Sequence, residues 1–89
     1  MATHKSALKR HRQSLKRRQR NRNVKGAVRT AVRRTRMAVA EGDIEAARES
    51  LQVAISRLDT AATKGIIHKN TAARSKGRLT RLVTQAAAE

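Results

Sequence analysis

Residues 1–40 carry fourteen Lys or Arg side chains and not one Asp or Glu. Within them, Lys9-Arg10-His11-Arg12 and Lys16-Arg17-Arg18-Gln19-Arg20-Asn21-Arg22 are almost unbroken positive charge. A chain holds such a segment together only against its own repulsion. A dense polyanion relieves that repulsion, and nucleic acid is the commonest one.

The charge is lopsided as well as large. The whole chain of 89 residues has a formal net charge of +16. Residues 41–63 reverse the sign, with Glu41, Asp43, Glu45, Glu49 and Asp59 against Arg48 and Arg57 only. Residues 64–89 return to basic, with six cations and Glu89. Such alternation suggests a molecule with a binding side and a solvent side.

At this length the chain is one domain, predicted as a basic arm over 1–22 continuous with a bundle over 23–89. With no Phe, Trp, Tyr, Cys or Pro, any core consists of Ala, Val, Leu, Ile and Met, a composition that favours helix throughout. Lack of Cys excludes a disulfide framework and thiolate metal sites and suits a reducing compartment. No apolar run approaches the roughly 18 residues of a membrane span, and no signal-type apolar stretch follows the basic start. A soluble, cytoplasmic protein is expected.

Glycines punctuate the chain. Gly42 and Gly65 fall where apolar periodicity breaks and read as residues just past helix ends, where glycine takes the left-handed conformation without a Cβ penalty. Gly26 and Gly77 lie inside periodic segments, each about 1 kcal/mol less favourable than Ala. The prediction is three helices, near 5–40, 44–63 and 69–87.

In the first helix Val24, Ala27, Val28, Ala31, Thr35, Ala38 and Val39 form a stripe at three- and four-residue steps. Arg18, Arg22, Lys25, Arg29, Arg33 and Arg36 share one broad face across from it. Before Val24 the basic residues spread around the axis: Lys5, Lys9, Arg12 and Lys16 one way, Arg10 and Arg17 another. Leu8 and Leu15 project away from the core stripe and are not expected to join the bundle. Burying both would contribute about 1.5–3 kcal/mol each, whereas ordering some 20 residues costs about 1–2 kcal/mol apiece in backbone entropy. This arm is expected to stay largely disordered until phosphates neutralise it.

The second helix is the most regular. Asp43 suits the N-cap and Glu45 the first turn, where the helix dipole favours an anion. Ile44, Ala47, Leu51, Ala54, Leu58 and Ala61 make its apolar stripe, widened by Ile55 and Ala62. Glu45, Glu49, Gln52, Ser56 and Asp59 face away and read as a solvated surface, since carboxylates beside phosphates repel. The third helix sets Ala72, Leu79, Leu82, Val83 and Ala86 against a basic stripe of Arg74, Arg78 and Arg81, with the methylenes of Lys76 along the apolar rim. Short connections make neighbours antiparallel, so the predicted fold is all-α: an antiparallel three-helix bundle with a long protruding basic N-terminal helix.

A second focus is the turn Lys64-Gly65-Ile66-Ile67-His68-Lys69-Asn70-Thr71-Ala72-Ala73-Arg74-Ser75-Lys76. Ile66 and Ile67 can plug the end of the bundle. Either Asn70 or Thr71 could cap the third helix. Free backbone N–H groups there, beside His68, Lys69 and Arg74, would make a phosphate-binding corner.

The segment from Gly65 to Lys76 resembles the signature of the bacterial small-subunit ribosomal protein S-twenty family. Lys5-Ser6-Ala7-Leu8-Lys9-Arg10, Gln13-Ser14 and Lys16 to Asn21 are similar to that family's N-terminal helix, and the Glu41-Gly42-Asp43 turn also fits. The resemblance covers essentially the whole chain. It implies a three-helix protein that binds small-subunit ribosomal RNA directly and assists subunit assembly. It also implies RNA contact by the helix from Lys5 to Arg36, Arg20 included, and by the corner His68, Lys69 and Asn70, followed by Arg74 and Lys76. Other ribosomal proteins are expected neighbours; a homo-oligomer or a small-molecule substrate is not.

Without aromatic residues, single-strand capture by base stacking is not expected. Recognition should rest on phosphates, 2′-hydroxyls and the shape of folded RNA. His4, His11 and His68 have no i,i+4 partner for a metal, and no cofactor loop or nucleophile motif is present. An enzyme is therefore not expected. The rivals are a nucleoid-type protein compacting DNA and, more weakly, a basic membrane-surface helix, whose apolar face would normally be bulkier than Ala and Val.

Overall fold

A computed structural model describes Ala2–Glu89, with side chains from Lys5 onward. His4 therefore lies outside the described side chains. Three helices account for nearly all of it: α1 (Ala2–Ala40), α2 (Ile44–Thr63) and α3 (Lys69–Ala88). The molecule measures 68 × 22 × 13 Å. The long dimension belongs to α1, whose 39 residues span about 58 Å at 1.5 Å per residue. α2 packs along both other helices, while α1 and α3 meet over a much shorter stretch. The bundle is thus flattened, with the acidic helix in the middle.

Both connections follow from the glycines. Gly42 (φ 77°) and Gly65 (φ 73°) are left-handed, and each closes its helix in the same way. Gly42 N–H donates to Val39 O at 3.1 Å and Asp43 N–H to Ala38 O at 3.0 Å; Gly65 N–H donates to Ala62 O at 3.0 Å and Ile66 N–H to Ala61 O at 2.9 Å. These paired bonds satisfy carbonyls that a helix end leaves open. Asp43 serves two helices, because its carboxylate also accepts from Ala46 N–H at 3.1 Å and caps α2.

The start of α3 differs from expectation. Neither Asn70 nor Thr71 caps it; His68 does, its Nδ1 accepting from Asn70 N–H at 3.1 Å. The backbone of His68 is extended (φ −71°, ψ 142°), as an N-cap requires. An imidazole Nδ1 sits as far from Cβ as an Asp or Asn side-chain oxygen, so it can take that role. With the helix starting at Lys69, Asn70 and Thr71 are already inside its first turn.

The core is small and aliphatic. It comprises Ala31 and Ala38 of α1, Ala47, Leu51, Ala54 and Leu58 of α2, and Ala72, Leu79 and Val83 of α3, with Val28, Val32, Val39, Ile55 and Ile67 packed around it. Thr35 is fully buried, and its hydroxyl donates to Ala31 O at 2.9 Å, leaving no unmet polar atom. Leu8 and Leu15 are half exposed, at 47% and 49%, outside the core as expected. The arm carrying them is nevertheless helical and continuous with the packed half. Its Arg, Lys, Gln, Ala and Leu residues are good helix formers.

Candidate nucleic-acid interface

Because α1 extends past the bundle, most of its cations stand clear of the core. Lys5, Lys9, Arg10, Arg12 and Lys16 are exposed along the overhang. Arg18, Arg22, Lys25, Arg29, Arg33 and Arg36 are exposed along the face opposite the core stripe. Two shallow depressions interrupt that face. One, of about 460 Å³, is lined by Arg18, Asn21, Arg22, Lys25, Gly26 and Arg29. The other, of about 420 Å³, is lined by Arg29, Val32, Arg33, Arg36, Met37 and Ala40.

Arg17 and Arg20 behave differently. At 100° per residue they project on the core side of α1, beyond the point where the core ends. There they meet the α2–α3 turn: Arg17, Arg20 and Asn21 line an open cleft of about 590 Å³ with Lys64, Gly65 and Ile66. Three cations from two elements converge with no acidic residue among the lining. Lys64 is a candidate that sequence analysis passed over. An available signal was arithmetic: α2 runs antiparallel for 20 residues, so the turn after it must come level with about residue 20 of α1.

On α3, Lys69, Asn70, Arg74, Arg78 and Arg81 are exposed, as is His68 at the corner. Since Nδ1 of His68 is occupied by the cap, its Nε2 is the nitrogen left to face outward. The corner therefore offers an imidazole donor and two helix-start amides. It does not offer the amides of the turn itself: those of Lys64, Gly65, Ile66 and Ile67 are already bonded to carbonyls of α2.

Lys76 stands apart from the other candidates. Its Nζ lies 2.6 Å from Asp59 Oδ1, in a pair that is partly exposed on both sides. This is the single ion pair among the described residues, and being near the surface it contributes little to stability, typically up to about 1 kcal/mol. It ties α3 to α2 and occupies one member of the acidic stripe. Glu45, Glu49, Gln52 and Ser56 are exposed. Glu49 also borders a groove between α1 and α2 whose walls include Arg34 and Arg57, two further cations that sequence analysis did not single out.

Among the described residues, no three of His, Asp or Glu gather as metal ligands, and no helix is long and apolar enough to cross a membrane. The arrangement can bind anions along an extended front by charge and by hydrogen bonds from guanidinium and ammonium groups. It has no aromatic platform on which a base could stack.

Comparison with known proteins agrees with this architecture. The sequence profile described as "Ribosomal protein S20" matches residues 2–84. The chain is 53% identical over 83 residues to the small ribosomal subunit protein bS20 of Geotalea daltonii, covering 93% of this chain and 95% of the relative. With the protein of that name from Trichlorobacter lovleyi it shares 54% identity over 83 residues, covering 93% and 95%. With the bS20 protein of Nitratidesulfovibrio vulgaris it shares 49% over 87 residues, covering 98% of this chain and 100% of the relative. A basic α1 running beyond a three-helix bundle, a glycine-closed turn leading into His68-Lys69-Asn70, and identity near one half over nearly the full length together establish that the chain belongs to the ribosomal protein S20 family.

Proposed function

We propose that this chain is a structural, non-enzymatic component of the small ribosomal subunit. It binds small-subunit ribosomal RNA directly, among other ribosomal proteins in the cytoplasm, and supports subunit assembly. The observation that carries this is the set of cations on α1, a helix without a single acidic residue. Folding leaves these cations without carboxylate partners, so their repulsion is relieved only from outside.

The contacts begin with Lys5, Lys9, Arg10, Arg12 and Lys16 on the arm and continue through Arg18, Arg22, Lys25, Arg29, Arg33 and Arg36. Arg17, Arg20 and Lys64 take a phosphate in the cleft beside the turn. His68, Lys69, Asn70, Arg74, Arg78 and Arg81 form the second contact region. Lys76 joins them only when its pair with Asp59 opens. Each phosphate neutralised releases counterions, so affinity falls steeply with salt. Phosphate contacts fix the protein's position on the RNA, and the fold of the RNA supplies the specificity.

Filter binding to folded small-subunit ribosomal RNA and to duplex DNA, at about 150 mM salt, tests this function. A clear preference for the RNA is expected; equal affinity would favour the DNA-compacting alternative. In the same assay Lys64→Gln is expected to lower the salt-dependence slope by about one while leaving the fold intact.

A further inference from the structure

We propose that Gly26 marks the point where the sugar–phosphate backbone of bound RNA lies directly against the main chain of α1. The proposal rests on the RNA-binding role set out above and adds a place where contact is set by the absence of a side chain. Gly26 sits inside α1, where glycine is the least favourable residue after proline. Its backbone is not left-handed, unlike that of Gly42 and Gly65, so conformation does not demand glycine. Packing does not demand it either: beyond the local backbone of α1 itself, a Cβ built at residue 26 meets no atom within 4 Å. The chain therefore carries a helix-weakening residue at a position where its own fold would accept alanine.

The surroundings indicate what does require it. Gly26 lies in the depression bordered by Arg18, Asn21, Arg22, Lys25 and Arg29. Four cations and an amide thus ring a patch of uncovered backbone, and none of the four has a carboxylate within 4 Å. A phosphodiester fits this chemistry: charge reaches its oxygens from the sides, while the ribose can approach the helix to van der Waals distance over glycine. An acidic protein segment would also feel the charge, but the depression offers no apolar side chain to seat one. RNA is the better match.

The test uses the full chain and two substitutions, Gly26→Ala and Gly26→Gln, both to good helix formers. Each is expected to raise the melting temperature of the free protein, by about 4–8 °C for the alanine variant. Each is also expected to weaken binding to folded small-subunit ribosomal RNA, by about tenfold for alanine and more for glutamine, because an over-filled contact must shift. The salt-dependence slope should stay unchanged, since no charge is lost. Unchanged or tighter RNA binding in both variants would overturn the proposal, whether glycine there is incidental or serves a protein partner. Failure of the unsubstituted chain to bind the RNA would overturn the underlying role as well, and the two failures are read from separate arms of the assay.

Discussion

α1 and α2 run antiparallel along one interface, yet they are stabilised from opposite directions. α2 is self-sufficient: Asp43 caps it, Glu45 occupies its first turn, and it buries Ala47, Leu51, Ala54, Leu58 and Ala61. α1 is nearly twice as long, has no acidic residue in its first turn, and among the described residues buries only Ala31, Thr35 and Ala38. Its C-terminal half is held by the bundle. Its N-terminal half has exposed cations and two half-exposed leucines, and gains little from the rest of the chain. Charge and burial thus divide the labour, with the middle helix carrying the buried stripe and the long helix carrying most of the exposed, unpaired cations.

Removing a core side chain should separate the two regions most sharply. Leu58 is 2% exposed, and Leu58→Ala is expected to destabilise the bundle by about 2–5 kcal/mol in chemical denaturation. Against a total typical of small domains, about 5–15 kcal/mol, that is enough to threaten folding. Leu15→Ala should change stability by no more than about 0.5 kcal/mol; a large loss there would mean that the arm packs on the bundle.

A peptide of residues 1–22 asks whether the arm holds its helix alone. Low helicity by circular dichroism at low salt is expected, rising when RNA is added, because short helices are marginal in water and this one repels itself. Full helix without RNA would erase the contrast between the halves of α1.

Charge reversal sharpens the comparison at the level of binding. Arg29→Glu and Arg74→Glu should each weaken RNA binding about tenfold or more, whereas Glu49→Lys on α2 should not weaken it. The opposite ranking would exchange the binding and solvent faces. A modest effect belongs to the helix start: His68→Ala should lose about 1 kcal/mol of stability and His68→Asn little of it, because asparagine can restore the cap. Thermal melts of the two variants check it.

The helices were legible because their signals are local. Periodic Val24 to Val39, the Leu51–Leu58 stripe and the placement of Gly42 and Gly65 each depend on neighbours within a turn or two. Which face is charged followed from the same counting. Three features were not legible. The His68 cap depended on where α3 actually starts, a matter of one or two residues that Asn70 and Thr71 obscured. Lys64 shares a cationic cleft with Arg17 and Arg20 only because α2 brings it back beside them. Lys76 stands among the expected RNA contacts on the sequence, but Asp59, seventeen residues away, holds its ammonium.

By itself, then, the sequence determined an all-helical chain with cations concentrated on α1, because helix propensity, capping and charge are properties of short segments. Only the tertiary structure decided which cations remain unopposed and which converge. A Coulomb contact depends on distance in space, and folding sets the separation of residues that lie far apart along the chain.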